Sequence, residues 1–238
     1  MTGVNCKTMF GNRKVLCFIL ARGGSRGVPR KNLLLISGKP LVAHSIDVAK
    51  KVRYIDKIYV STEDKEIKSV SLKFGADVID RPQELASDTA DYLDAVKHMI
   101  DSIPECKENP IIVLLETTSP IREISDIKKC IEIYNENVDS VISVNPVKSD
   151  PSYMYKQENN LLKSFLEKDP VKRRQDAEPL VSYNGSIFVS SCNFIKKQKD
   201  VVLGGRMIGY VLDQKHSIDI DSKLDFEICR FIMESLDK

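Results

Sequence analysis

Two stretches of this 238-residue chain carry residue types able to do chemistry together. The first is Arg22-Gly-Gly-Ser-Arg-Gly-Val-Pro-Arg-Lys-Asn32, with three glycines in five residues and four cations, Arg22, Arg26, Arg30 and Lys31. Glycines let backbone amides approach a ligand closely and adopt positive φ. A glycine-rich, cationic turn after a buried strand suits a polyphosphate. It is not a P-loop, because Arg30 and not Gly precedes Lys31, and it lacks the GxGxxG dinucleotide fingerprint. The second stretch is Asp219-Ile-Asp221. Side chains alternate along an extended segment, so its two carboxylates share a face. Paired hard oxygens suit Mg²⁺, which keeps waters and bridges carboxylates to phosphate. Asp225 falls in the first turn of the last helix, where the dipole favours an acid. The loop and the acid pair stand at opposite ends of the chain, so the fold must unite them.

The elements between them alternate. Val15–Ala21 is a continuous apolar run, as in a strand covered on both faces. Pro40 suits the first turn of a helix carrying Val42, Ile46, Ala49 and Val52 on one face. Lys57–Ser61 reads as a strand, 64–74 as a helix ended by Gly75, Asp77–Ile79 as a short strand and 91–100 as a helix. Ile111–Leu115 is the strongest strand after the first. Ile124, Ile127, Ile131 and Tyr134 mark an amphipathic helix, and Asp139–Val144 another strand. Strand pattern resumes at Ser186–Ser190 and Met207–Leu212. The final helix, 223–236, is expected to turn Leu224, Ile228, Phe231, Ile232 and Leu236 toward the core. Strands alternating with short helices call for parallel, right-handed crossovers, whose ligands bind at strand carboxyl ends. The loops after 21, 61, 79 and 115 are therefore the expected crevice. From Asn145 to Tyr183 the pattern turns polar, with prolines at 146, 151, 170 and 179, as in an inserted arm. One domain over 1–238 with an arm at 145–183 is the expected organisation.

Composition narrows the function. There are 36 basic and 34 acidic side chains, a net charge of +2, too balanced for nonspecific nucleic-acid binding. No aromatic platform interleaves the basic loop. No apolar run approaches the ~20 residues of a membrane span, and the N-terminus shows no export signal. The six cysteines are scattered without a CxxC pair, which fits reduced residues of a cytoplasmic protein. His44 lies in the first helix, and His98 and His216 carry no motif, so no catalytic histidine is assigned.

Phe18–Asn32 (FILARGGSRGVPRKN) followed by Gly38-Lys39-Pro40 closely resembles the start of the acylneuraminate (CMP-sialic acid) cytidylyltransferase family. The resemblance extends through Arg81–Asp88 (RPQELASD), Thr118–Arg122 (TSPIR), Arg174-Gln175, Asn184–Phe188 (NGSIF) and Ser217–Asp221 (SIDID), in the family's order. It implies a Rossmann-like, three-layer α/β nucleotidyltransferase fold with a mostly parallel sheet and a small dimerisation insertion, hence a homodimer. It also implies that Leu20, Ala21, Arg22, Lys31, Asn32 and Arg81 border the nucleotide, and that Glu116, Arg174, Gln175 and Asn184 face the sugar acid. Asp219 and Asp221 would hold Mg²⁺.

The implied reaction transfers CMP from CTP to the anomeric hydroxyl of a nonulosonic acid, releasing pyrophosphate. Arg22 and Lys31 would neutralise developing charge, with Asp221 a candidate base. Positioning and charge stabilisation would supply the rate. The chain departs from the family at Glu116-Thr117, where LLQPTSP has Gln-Pro, and at Asp91-Tyr92, where some members carry serines. An acid at 116 disfavours a nearby carboxylate and favours an amine or hydroxyl donors, so legionaminic acid, pseudaminic acid or Kdo are alternatives to N-acetylneuraminic acid. A glycosyltransferase with a DxD pair and a regulator binding CTP without turnover are rivals from outside the family. CTP consumption with pyrophosphate release separates them.

Overall fold

The computed structural model describes residues 12–25, 27–166, 173 and 178–236. Seven strands form one sheet: β1 (Val15–Leu20), β2 (Lys57–Thr62), β3 (Asp77–Asp80), β4 (Ile111–Leu115), β5 (Ser140–Pro146), β6 (Val181–Ser191) and β7 (Met207–Val211). Their order is β3-β2-β1-β4-β6-β5-β7. β6 runs antiparallel to β4 and β5; every other pairing is parallel.

Alternation along the buried strands decides the layers. Val15, Cys17 and Ile19 of β1 face one core, shared with helices α1 (Leu41–Lys50), α2 (Lys65–Lys73) and α4 (Ile124–Ile133). Leu16 and Phe18 face the other, shared with α3 (Tyr92–Ser102) and α5 (Cys192–Lys197). A strand sandwiched between two helical layers needs apolar side chains on both faces, which is why VLCFIL is unbroken. Burial pushes the Cys17 thiol up to about 12, as expected of an inert core cysteine. α2 starts where the Asp64 side chain accepts the Glu66 and Ile67 amides, and the chain turns away at Gly75, φ +88°. Pro40 sits just before the first helical residue, Leu41.

β6 is longer than its sequence pattern implies. Its pairing with β5 slips between Tyr183 and Phe188, around Gly185 at φ +75°. Such an irregularity spoils strict alternation and hides the strand's first half. Between β5 and β6 a hairpin, Tyr155–Glu158 with Leu161–Ser164, stands outside the main sheet.

A third, smaller cluster matters most for function. It joins Val28 of the glycine-rich loop to Ile36, Leu41, Ile121, Ile220 between the two aspartates, and Phe226 and Cys229 of the last helix, α6 (Lys223–Leu236). Here one expectation fails. α6 buries Phe226 and Cys229, with Ile232 and Met233 partly buried beside them, whereas Leu224, Ile228 and Phe231 are exposed, Phe231 by 73% and Leu236 by 64%. The helix carries apolar residues on two sides, and only one can face the body.

Candidate active site

The loop and the acid pair meet. Val28 and Ile220 share the third cluster, and the Lys31 ammonium donates to the Ile220 carbonyl. Gly27 packs so tightly that a Cβ there would lie 1.9 Å from the Asp221 carbonyl oxygen. Gly27→Ala must therefore displace backbone. We expect it to weaken nucleotide binding at least tenfold, as read by calorimetry, and to lower the thermal midpoint, since overpacking typically costs about 1–3 kcal/mol. The acid segment is tied to the sheet by the Ile220 N–H on the Thr118 carbonyl, 2.9 Å, just beyond β4.

Above this floor lies a cleft of about 350 Å³ lined by the ends of β1 and β4 and by the segment after β3. Leu20, Arg22, Lys31, Asn32, Arg81 and Glu116 all line it. Ala21 lies behind, fully buried, its N–H on the Ser61 carbonyl at 3.0 Å. Buried Arg81 is aimed by Ser61, donating to its hydroxyl at 2.9 Å and its carbonyl at 2.7 Å. Asn32 donates to the Arg22 carbonyl at 2.9 Å. Its buried Oδ1 has no partner. A buried acceptor without a donor is costly, and this one belongs to a residue that lines the cleft.

Arg26 lies outside the described residues, and the loop's other cations are already engaged. Arg22 donates to the Ser87 carbonyl at 2.8 Å and pairs with Asp88 at 3.0 Å. Arg30, held in a left-handed conformation at φ 54°, turns outward to Asp64 and Glu66. The loop after β2 thus supports the glycine-rich loop from behind, and Glu63 also accepts the Gly23 N–H at 2.7 Å. Burial draws the Lys31 pKa down, while Asp221, Asp219 and Glu116 hold it up. Asp219 has its carboxyl raised by desolvation by the surrounding protein and by repulsion from Asp221, against a hydrogen bond from Thr118 and the charge of Lys31. Among the described residues no group of three or more His, Cys, Asp or Glu side chains could hold a metal ion. Two carboxylates acting on each other and on Lys31 fit Mg²⁺ shared with substrate and water, and do not fit a closed protein cage.

A second chamber of about 370 Å³ adjoins the cleft, with Glu116, Tyr92, Asp91 and Thr118 common to both and Asp219 on its wall. Its remaining surface includes Leu93, Tyr183, Gly185 and Val202. Burial raises the Glu116 pKa, opposed by a hydrogen bond from Tyr92 and by Arg122. Asn184, expected to face the sugar, does not line this chamber: its Oδ1 accepts from the Ser143 hydroxyl and the Ser186 N–H, and its Nδ2 donates to Asn145. The β6 irregularity consumes Asn184 and presents Tyr183 and Gly185 instead. Arg174 and Gln175 lie outside the described residues.

The sequence profile of the cytidylyltransferase family matches residues 16–184. The chain belongs to the cytidylyltransferase family. It is 35% identical over 217 residues to an N-acylneuraminate cytidylyltransferase of Streptococcus agalactiae serotype V, covering 90% of this chain and 52% of that protein. The chain thus spans about half the length of such relatives. It is 32% identical to a CMP-N,N'-diacetyllegionaminic acid synthase of Legionella pneumophila, covering 93% of this chain and 97% of the other. A solved CMP:2-keto-3-deoxy-manno-octonic acid synthetase complexed with CTP superimposes with a TM-score of 0.71, at 16% identity, over 93% of this chain and 99% of that one. This last likeness shows the shared fold.

In this member of the cytidylyltransferase family one residue of the quoted motifs does unassigned structural work. Buried Arg122 donates to the Ser119 carbonyl (2.8 Å), the Ser186 carbonyl (2.6 Å), the Ser45 hydroxyl (3.2 Å) and the Glu116 carbonyl. It binds the turn after β4 to β6 and α1, and so fixes the wall that carries Glu116. Burial lowers its pKa to about 10, so it stays charged at neutral pH. Arg122→Met leaves several buried acceptors unpaired. We expect about 3–5 kcal/mol of lost stability, read from the urea midpoint of unfolding.

Proposed function

We propose that this protein transfers CMP from CTP to the anomeric hydroxyl of a nonulosonic acid, N-acetylneuraminic acid or a close relative, and releases pyrophosphate. The observation that carries the reading is that Lys31 and the buried, unpartnered Asn32 Oδ1 line one cleft, with Lys31 tied to the Ile220 carbonyl between Asp219 and Asp221 and standing in the field of both. The base would lie toward Asn32 and Arg81 and the triphosphate toward Lys31. The sugar acid would occupy the second chamber, against Glu116 and Tyr92. There the anomeric oxygen bonds to the α-phosphorus as the bond from α-phosphorus to the bridging oxygen breaks. The hydroxyl proton passes toward Asp221. Lys31, with Arg22 once it releases Asp88, neutralises charge on the phosphoryl oxygens and the leaving group. Mg²⁺ on Asp219 and Asp221 would add charge neutralisation along the triphosphate.

A legionaminic or pseudaminic acid is the second reading. It is favoured by Glu116 and the apolar side chains around Tyr183, and by the near full-length match to the Legionella protein; Kdo is the remaining candidate. The deciding experiment is pyrophosphate release with CTP against a panel of these sugars. One saturating sugar is the expected result, and no release with any of them rejects the reading.

The hairpin and its root expose Met154, Tyr155, Leu161, Leu162 and Phe165, with Leu161 74% exposed. Exposed large apolar side chains concentrated on one hairpin suit an interaction surface, and we assign this hairpin to a homodimer in the cytoplasm. Light scattering at twice the monomer mass is expected.

A further inference from the structure

His216 has no motif around it, yet the structure gives it a defined place. The short helix Gln214–Ser217 carries it below the surface, three residues before Asp219. Its Nε2 lies 3.1 Å from Glu123 Oε1 and its Nδ1 lies 3.0 Å from Asp126 Oδ2. The Nδ1 approach is off the line of a hydrogen bond, so that contact is one of proximity, and the directed bond is the one to Glu123. Asp126 does not need the imidazole to be satisfied. Its Oδ2 accepts the Glu123 N–H at 2.8 Å, closing a capping box at the start of α4, and the Tyr210 hydroxyl donates to its Oδ1 at 3.4 Å. The segment that needs the imidazole is the one bearing the acids. From Asp213 through Ile220 this strap lies outside the sheet. Among the described residues its main-chain tie to the body is the Ile220 N–H on Thr118.

We propose that His216 is a positioning residue for the acid pair: lodged between Glu123 and Asp126, it sets the strap that puts Asp219 on the wall of the second chamber and keeps Asp219 and Asp221 in the field of Lys31. The proposal rests on the reading that these aspartates hold a divalent cation beside CTP. His216 on α4 is the anchor before Asp219; after it Ile220 is held by the Thr118 carbonyl and by Lys31, and Thr118 also bonds the Asp219 carboxylate. Holding ligands in register is a recognised function of groups outside the ligand set, and losing one typically costs about 10–100-fold in metal affinity.

The test uses Mn²⁺ as the probe, titrated by electron paramagnetic resonance into the full chain saturated with α,β-methylene CTP. His216→Leu is expected to weaken Mn²⁺ about tenfold while leaving metal-free nucleotide binding within twofold. His216→Gln, whose amide keeps a hydrogen-bond donor, is expected to stay within about 1.5-fold of the unsubstituted protein. Unchanged Mn²⁺ affinity in the leucine variant overturns the proposal. So does an equal loss of metal-free nucleotide binding, which would mark a general packing role. If the leucine variant does not fold, Glu123→Ala at the exposed rim decides: about threefold weaker Mn²⁺ supports the clamp and unchanged affinity rejects it. Failure of the unsubstituted protein to bind the CTP analogue would instead reject the functional reading on which the clamp depends.

Discussion

Lys31→Ala is expected to lower turnover about 100-fold, some 2.7 kcal/mol of barrier, with a smaller change in the apparent affinity for CTP. Lys31 reaches across from the loop to the Ile220 carbonyl and stands in the field of Asp219 and Asp221. Its removal takes away a cation coupled to both aspartates and a tie between the glycine-rich loop and the acid segment. Lys31→Arg should rescue little, because a planar guanidinium cannot replace a compact ammonium in that gap. Pyrophosphate release under saturating CTP measures this. A change of less than threefold would remove Lys31 from the chemistry.

Asp219→Asn should move activity and stability in opposite directions. Turnover is expected to fall by about 100-fold or more as a hard oxygen ligand is lost. The metal-free fold should become more stable. Desolvation by the surrounding protein and repulsion from Asp221 raise the Asp219 pKa, so its charged form opposes folding at neutral pH, by a small amount because the residue is exposed and solvent screens it. A carboxyl whose folded pKa lies above its unfolded one binds protons more tightly in the folded state. Its unfavourable contribution is therefore present above the folded pKa and fades as pH falls through it. The thermal midpoint of Asp219→Asn, measured with chelator, should exceed that of the unsubstituted protein at pH 7, and the gap should close toward pH 4. A lower midpoint at pH 7 would show that the carboxylate is a net structural asset.

What could be read from the sequence was whatever depends on local pattern. The unbroken VLCFIL and IIVLL runs announce strands covered on both sides, and they are the sheet's buried centre. The glycine-rich loop and the DID pair were legible as partners because their chemistry is complementary, although nothing in their spacing says that they touch. What escaped depends on tertiary choice. Periodicity reports that α6 is apolar on two sides but not which side faces the body, so Leu224, Ile228 and Phe231 were expected inside. Asn184 has the chemistry of a sugar ligand, and only the slipped β5–β6 register shows that Ser143, Asn145 and Ser186 absorb it. Arg122 and His216 lacked a recognisable role for the same reason. Their partners, Ser186 and Ser45 for one and Glu123 and Asp126 for the other, are distant in the chain.

The small cluster joining Val28, Ile220 and Phe226 has an evolutionary consequence. It makes the opening loop and the closing helix a single mechanical part, although almost the whole sequence separates them. A bulkier residue at Phe226 would push on the phosphate floor as directly as one at Val28. Across related chains these positions should therefore drift in concert, with gains of volume at one matched by losses at the other, and a loop transplanted from a relative should work only when its terminal helix travels with it.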